Sequence, residues 1–393
     1  MRVEHRLRWA APVLRTDEEE GRERKASWLE LFYDLVFVAV VAELAHALSG
    51  DLTWEGAGIF VALFIPVWWI WVGGAFYNDR FENDDISHRL AVIVQMVPVA
   101  GMALFVAHGL DDDFRGFALS YALARTTLNL LWTRAGRHNP VTRELTNRYA
   151  VGFGAMAALL VVAAFLPSPW RYVVWTLAVA VDLLTPAATW GIQARLPRLS
   201  RSHLPERFGL FTIIVLGEAV IGAIAGIAEV ESLSLNEFVL GGLMLLIAVS
   251  VWWIYFDQIA DRPPHRTIYS TAAWGYLHLP IAAGITAIGV GAIHLIAEAD
   301  HDLTSAVSWT LALGLASALV AIGVIELLQI GEHQTIDRVF RFAGALVVLA
   351  LGALGSTLGP LLFALLLAAL TTAQVVQGLV APTPPAVPAG ASD

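Results

Sequence analysis

The sequence predicts an all-α polytopic membrane protein, a bundle of about twelve transmembrane helices, from its composition and its long apolar runs. Of its 393 residues, 57% are hydrophobic and only 15% are charged. Soluble globular proteins are about 45–50% apolar and about 25% charged. The excess apolar surface is therefore expected to face a lipid bilayer. This composition argues against a soluble enzyme or a disordered regulator, and the net charge of -10 argues against nucleic-acid binding.

Windows of about 20 apolar residues, long enough to cross the hydrocarbon core, occur twelve times along the chain. The predicted spans are 28–48, 55–76, 89–109, 116–132, 150–166, 171–190, 207–227, 237–257, 275–296, 304–325, 338–356 and 358–378. The boundary between the last two spans rests only on the short stretch 356–360. Eleven spans with one re-entrant segment is therefore an alternative.

The basic residues test this count independently. If the N-terminus is cytoplasmic, the twelve spans place 21 of the 24 Arg and Lys residues on the cytoplasmic side. The connections on the other side are acidic, as at 111–113. Cytoplasmic loops of membrane proteins carry this excess of positive charge. Twelve spans with both termini in the cytoplasm is the topology that the charges predict.

The chain divides into four predicted regions. Residues 1–26 form a charged cytoplasmic tail, 27–200 a first six-helix half, 201–379 a second half, and 380–393 a disordered tail rich in Pro and Ala. Six helices separate corresponding elements, an even number. Two halves related by an axis along the membrane normal are therefore expected.

Three landmarks recur in the same order in the two halves and suggest an internal repeat. They are a glutamate in the first helix, a tryptophan pair ending the second, and a proline followed by a histidine in the third. The pairs are Glu43 and Glu218, Trp68-Trp69 and Trp252-Trp253, Pro98 and Pro280, and His108 and His294. The alternative is chance similarity among apolar helices.

Several of these segments resemble the bacterial low temperature requirement protein A family. The matching stretches are WLELFYDLVFV at 28–38 and ERFG at 206–209 running into FTIIVLGE at 211–218, with support from 78–81, 84–85, 253–257 and 276–280. Tyr33 departs from the phenylalanine expected there. The resemblance implies a multi-pass protein of the bacterial inner membrane. Its family name refers to growth in the cold, and it implies no particular substrate, cofactor or catalytic residue.

Ionisable side chains within a span are costly, by about 2.5–3.5 kcal/mol each near the bilayer centre on insertion scales, and they mark pathways or pairings. The first span carries four such residues: Glu30, Asp34, Glu43 and His46. Glu30 and Asp34 lie about 40° apart on one helix face, whereas Glu43 lies about 180° from Asp34 with His46 on its side. We therefore expect protein or water on both sides of this helix.

Glu218 lies near the middle of the seventh span. The nearby spacing of Gly222 and Gly226 allows a neighbouring helix to approach closely. If the halves are duplicated, Glu43 and Glu218 face each other across the pseudo-axis. Two neighbouring buried carboxylates suit proton uptake and release, or the binding of a desolvated cation. The alternative is that each glutamate accepts a local partner and only fixes helix packing.

Arg125 and Asp182 fall near mid-membrane and are predicted to pair with each other or with Asp34, as a structural brace. His278 and His294 lie about 160° apart on one helix, so they cannot bind one metal ion together. Each is either a packing residue or part of a proton relay. No metal-ligand spacing is evident, so we expect no metal and no cofactor.

The acidic loop 78–85 is interpreted as a solvated turn, with a cation site or a gate latch as the alternative. The chain has no cysteine, and no nucleophile–base pair is evident, so an intramembrane enzyme is disfavoured.

Movement of protons, a cation or a small solute, coupled to protonation of Glu43 and Glu218, is the predicted function. Asp34, His46 and Glu30 would extend the pathway, and Arg125 with Asp182 would brace it. The lipid bilayer is the expected partner, and no nucleic acid is. The alternative is a non-transporting membrane scaffold or sensor needed for growth in the cold.

Overall fold

The computed structural model describes residues 10–16, 25–82, 85–228, 234–260, 262, 264–265, 267–329 and 335–380. In these ranges the chain is almost wholly helical. The helices are α1 (Trp28–Gly50), α2 (Trp54–Arg80), α3 (Ile86–Phe105), α4 (Phe114–His138), α5 (Arg143–Ala163), α6 (Trp170–Ala187), the short α7 (Trp190–Gln193), α8 (His203–Ala228), α9 (Leu235–Tyr255), α10 (Ile268–Ala297), α11 (Ser305–Leu328), α12 (Thr335–Leu358) and α13 (Pro360–Val380). Two short strands, β1 (Val13–Leu14) and β2 (Phe81–Glu82), pair antiparallel.

The predicted fold class is confirmed. Twelve long helices lie in the described ranges, one for each predicted span, and eleven of them are long and apolar enough to cross a membrane. The remaining helix is α4, which carries four arginines along its 25 residues. So many apolar helices imply that a lipid bilayer surrounds the protein. Of the predicted tails, residues 10–16 and 25–26 of the first and residue 380 of the second are described, and the rest of both tails lies outside the described residues.

The last two predicted spans are separate helices. Gly359 lies between α12 and α13 with a φ of 73°, a left-handed conformation that glycine adopts without steric penalty. Pro360 follows as the first residue of α13, where its missing N–H removes no helical hydrogen bond. Because α12 and α13 each qualify as a span by length and composition, the structure favours two spans over one re-entrant segment.

The chain forms two compact units. Unit 1 comprises residues 1–218 and 266–275, and unit 2 comprises 219–265 and 276–393. The helices α8 and α10 therefore each contribute residues to both units. The internal repeat that would relate residues 27–200 to residues 201–379 stays a prediction.

Side-chain caps explain where the first helices begin. Ser27 and Glu30 form a capping box at α1, in which the Ser27 N–H donates to Glu30 at 2.8 Å. Thr53 accepts a hydrogen bond from the Gly56 N–H at the start of α2. Asp85 accepts from the Ser87 and His88 N–H groups at α3. These contacts satisfy backbone donors that the first helical turn leaves open.

In unit 1, an aromatic cluster holds the end of α2 against α4 and α5. Tyr77 and Phe81 contact the Trp132 ring at centroid distances of 5.3 and 5.6 Å, and Tyr149 contacts it at 4.9 Å. Phe81 is also the β2 residue that pairs with Leu14. The strand pair therefore holds residues 13–14, and with them Arg15, beside the end of α2.

In unit 2, α8 and α10 approach closely at glycine, as the spacing of Gly222 and Gly226 predicts. A Cβ atom at Gly222 would lie 2.1 Å from the Gly289 carbonyl oxygen, and one at Gly226 would lie 3.1 Å from the Ile293 Cα. Backbone contact of this kind replaces the hydrophobic driving force that lipid does not provide.

Gly222→Ala is expected to destabilise unit 2, because the new methyl group would meet backbone that cannot move aside. Overpacking of this kind costs about 1–3 kcal/mol. The measurement is the midpoint of thermal unfolding in detergent, followed by tryptophan fluorescence. Gly217→Ala on the same helix is the matched control, because its Cβ would meet nothing within 4 Å. Equal midpoints for the two variants would contradict close α8–α10 packing.

Acid should weaken the α3 cap. Burial acts to raise the pKa of Asp85, but the hydrogen bond with Ser87 and the charge of Arg134, 2.7 Å away, together hold it below its ordinary value of 3.8. The stabilisation that ionised Asp85 contributes is therefore present in full above the pKa of this residue in the unfolded chain. It is lost as the pH falls from there through the lower pKa of the folded protein. The unfolding midpoint of Asp85→Asn should thus lie below that of the unchanged protein at pH 7, and the two should converge as the pH falls through the lowered pKa of folded Asp85. A constant gap between the two midpoints would refute this linkage.

Candidate functional site

Three ionisable residues meet at the ends of three unit 1 helices, a group we call the outer layer: Glu30, Asp79 and His203. The His203 Nε2 lies 3.1 Å from the Glu30 Oε1, and its Nδ1 lies 3.2 Å from the Asp79 Oδ1. The histidine and aspartate side chains are fully buried, and that of Glu30 is 5% exposed. One imidazole ring therefore joins two buried carboxylates.

Local structure explains this meeting. Glu30 lies in the first turn of α1 and His203 is the first residue of α8. α2 continues to Arg80, beyond its predicted end at residue 76, and this extension carries Asp79 into the same place. The Asp79 Oδ2 also accepts a hydrogen bond from the Ser200 N–H at 2.9 Å. The acid therefore holds the segment before α8 as well as the histidine.

One turn further along α1 and α8 lies a second group, the inner layer: Asp34, Arg207 and Trp71. Arg207 binds the Asp34 carboxylate through two nitrogens, at 2.7 Å each, and the Trp71 Nε1 donates to the same carboxylate at 2.8 Å. Two parallel N–H···O bonds make this the strong form of ion pair. The side chains of Arg207 and Asp34 are 1% and 3% exposed.

The two layers are linked by helical spacing. Asp34 follows Glu30 by four residues on α1, and Arg207 follows His203 by four on α8, so each pair shares a helix face. The Arg207 Nε also lies 3.9 Å from the Glu30 Oε1. The prediction that Glu30 and Asp34 share a face is confirmed, because both carboxylates point to the start of α8.

Glu218 lies on the same face of α8, about 16 Å along the helix from Arg207 at 1.5 Å per residue. It is buried, and it makes no hydrogen bond or ion pair with another described residue. Phe211 occupies part of the interval, and its ring lies 4.3 Å from the Trp71 ring. Apolar aromatic packing therefore follows the inner layer on the way to Glu218.

Glu43 and His46 lie on the opposite face of α1, as predicted, and both are exposed. The α1 face that carries Glu30 and Asp34 packs against protein. The face that carries Glu43 and His46 is instead open to water or to another molecule. Within the described ranges, no hydrogen bond or ion pair joins Glu43 to Glu218. Their predicted joint role stays a prediction.

Arg125 and Asp182 pair with each other, as predicted, while Asp34 takes Arg207 as its partner. The Arg125 Nη2 lies 2.7 Å from the Asp182 Oδ2, with both side chains buried, and the Tyr121 hydroxyl donates to the same oxygen. The Arg125 guanidinium also lies 4.8 Å from the Phe153 ring centroid. This pair, which we call the brace, connects α4, α5 and α6.

Unit 2 holds further buried polar contacts. His278 lies 3.0 Å from the Tyr255 hydroxyl, and His294 is half-buried sixteen residues further along α10. Sequence reasoning missed a second buried ion pair, in which Arg341 lies 3.3 Å from Glu326 and donates to Gln374 at 2.7 Å.

Sequence reasoning also missed Asp79, Trp71, His203 and Arg207 as site residues. Arg207 begins the predicted span 207–227, where no role is predicted for it, and loop 78–85 is interpreted as a solvated turn. That interpretation is wrong for Asp79, which is 1% exposed at the end of α2. Residues 83–84 of that loop lie outside the described residues. A signal was present, since Asp79 and Arg207 lie within the stretches 78–81 and 206–209 of the family resemblance.

Beside the outer layer lies a cavity of about 10 Å³, lined by Glu30, Tyr33, Asn78, His88 and Gln95 among others. A space of this size holds about one water molecule. Among the described residues, no group of three or more His, Cys, Asp or Glu side chains is placed to hold a metal ion.

Removing one partner of the brace is expected to be strongly destabilising, by about 3–5 kcal/mol, because the other charge stays buried without compensation. Arg125→Met and Asp182→Leu should each lower the thermal midpoint in detergent, and the double variant should recover part of the loss. A double variant as unstable as the sum of the single ones would show that the two side chains act independently.

Comparisons with known proteins agree with the resemblance. Over 292 residues, 70% of this chain and 70% of the relative, the sequence is 27% identical to an uncharacterized protein of Rhizobium meliloti (strain 1021). No solved structure matches the chain. The sequence matches the family described as bacterial low temperature requirement A protein (LtrA) over residues 25–379. This range includes both layers and the brace, and the chain therefore belongs to the bacterial low temperature requirement A (LtrA) family.

Proposed function

We propose that this membrane protein moves protons, or a small solute or cation coupled to protons, along the charged face of α8. The observation that carries the proposal is the order of ionisable groups on that face. The outer layer lies at the helix start, the inner layer lies one turn further, and Glu218 lies about three turns beyond that.

Energetics support a functional role for this arrangement. A charged residue near the bilayer centre costs about 2.5–3.5 kcal/mol on insertion scales, and such residues face protein interiors or pathways. Glu218 is buried without a polar partner among the described residues, so packing alone does not explain a glutamate there. A carboxyl group in such a place can take up a proton to become neutral and release it again when water reaches it.

The aromatic contact between Trp71 and Phe211 supports coupled movement rather than an open pore. Their ring centroids lie 4.3 Å apart, which leaves no room for a water molecule between the two rings. Passage of a proton would then require this contact to open. An alternating opening of this kind, around a fixed binding site, is how secondary transporters work.

Glu43 and His46 belong to the proposal as a second route along the exposed face of α1. His278 and His294 are supporting candidates in unit 2. The distribution of basic residues supports insertion in the bacterial inner membrane with both termini in the cytoplasm. The outer layer would then lie at the cytoplasmic end of the route.

A non-transporting scaffold or sensor is the second candidate. The brace and the Arg341–Glu326 pair favour it, because each is a buried ion pair held between helices and contains no histidine. If every buried charge acts only in this way, neutral variants would lower the amount of folded protein and leave no activity to lose.

Proton flux in proteoliposomes loaded with a pH-sensitive dye tests the proposal. The intact protein is expected to collapse an imposed pH gradient, with or without a coupled solute. Glu218→Gln should lower the initial rate at least about tenfold, because an amide cannot carry a proton. Glu43→Gln tests the second route by the same readout.

Glu55→Gln is the matched control, since this exposed glutamate at the start of α2 undergoes the same chemical change. It should leave the rate unchanged. Only variants that elute as a single species in detergent are compared. An unchanged rate in folded Glu218→Gln would contradict the route along α8. Absence of flux from the intact protein at any imposed gradient or potential would favour the scaffold.

A further inference from the structure

We propose that His203 is a proton-binding site, an imidazolium whose two N–H groups are shared between Glu30 and Asp79. This inference deepens the proposed function, and it concerns the one ionisable ring of the outer layer. It rests on which atoms can donate and which can accept. Both contacts of the ring are with carboxylate oxygens, at 3.1 and 3.2 Å.

The count of protons follows from these contacts. An ionised carboxylate only accepts hydrogen bonds, whereas a neutral imidazole has one donor nitrogen and one acceptor nitrogen. With neutral His203 and two ionised acids, one of the two contacts would bring two acceptors together inside the protein. One additional proton resolves this conflict. Glu30, Asp79 and His203 together therefore bind one proton more than they would with a neutral imidazole and two ionised carboxylates.

The surrounding charges place that proton on the ring. The neighbouring elements carry these charged side chains: Glu30 and Asp34 on α1, Asp79 and the buried Arg80 on α2, Arg207 on α8, and Arg15 after β1. The Arg15 Nη1 lies 4.0 Å from Asp79, and Arg207 lies between Asp34 and Glu30. A charged His203 places a positive group between the Glu30 and Asp79 carboxylates. A neutral ring would withdraw that compensation from two buried acids, which is the costlier state.

Two effects oppose this assignment. The His203 side chain is fully buried, and burial disfavours the charged form of any side chain. His203 is the first residue of α8, and the positive end of the helix dipole disfavours a cation there. The effect of a helix end is that of about half a charge, whereas two full carboxylate charges touch the ring. The carboxylates outweigh the dipole.

Loss of the proton would free one carboxylate. The ring nitrogen that becomes an acceptor can no longer bind its acid, so either the His203–Glu30 or the His203–Asp79 contact opens. Asp79 also binds the backbone N–H of Ser200, and the Ser200 hydroxyl accepts a hydrogen bond from the backbone N–H of His203 at 3.1 Å. The segment 200–203 is therefore the part of unit 1 whose position depends on the proton.

Nitrogen NMR of the full chain, labelled with ¹⁵N-histidine and embedded in lipid nanodiscs at pH 7, tests this inference. The probe is the proton itself, seen as protonation of both ring nitrogens. The His203 signal is the one of the 11 histidine signals that is absent from His203→Gln. It should be that of an imidazolium in the intact protein. Asp79→Asn and Glu30→Gln should each lose that signature at pH 7.

Glu55→Gln is again the matched control, and it should leave the His203 signal unchanged. If an acid variant does not fold, the spectrum of the intact protein still decides. A neutral His203 at pH 7 overturns the inference, and so does an imidazolium that survives in both acid variants.

The two proposals fail separately. A neutral His203 in a protein that conducts protons would overturn this inference and leave the proposed function standing. An imidazolium in a protein that moves no protons would do the reverse.

Discussion

Two acids on α1 and two basic residues at the start of α8 form the contact on which the arrangement of unit 1 depends. Glu30 meets His203, and Asp34 meets Arg207 one turn further. Each of these groups would be costly to bury alone, whereas together they satisfy one another. Because both pairs have a spacing of four residues, the two helices must lie side by side with their faces in one register. The helix α2 then joins them, since Asp79 contacts His203 and Trp71 donates a hydrogen bond to Asp34.

Two kinds of buried charge are present, and they differ in what they can do. The brace is a guanidinium bound to a carboxylate and a phenol, and arginine does not release its proton in proteins. The outer layer instead has a histidine, a side chain that can both bind and release a proton. The chemistry of these side chains therefore suits Arg125 and Asp182 to holding helices together, and suits His203 to the proton binding that we propose.

Sequence reasoning predicted much of this site and missed its centre. Glu30, Asp34, Arg125 and Asp182 stand out because each is a charge within an apolar run, and helical spacing gives the face on which each lies. The partners of Glu30 and Asp34 were missed because they lie at helix ends. Asp79, His203 and Arg207 are preceded or followed by polar residues, and there hydropathy does not distinguish a buried end from a solvated loop. Asp79 and His203 are 124 residues apart in the sequence, and Asp34 and Arg207 are 173 residues apart. Only folding brings these partners together.

By itself, the sequence determined the fold class, the number of long helices, and the presence of costly charges that require partners. These follow from composition and periodicity, which act locally along the chain. The tertiary structure decided which charges meet, because a pairing depends on how helices pack rather than on distance along the sequence. It selected Arg207 over Arg125 for Asp34, placed a histidine between two acids, and left Glu43 exposed. The physical reason is that burying a charge is costly unless it is paired, and helix packing decides which complementary groups come within hydrogen-bonding distance.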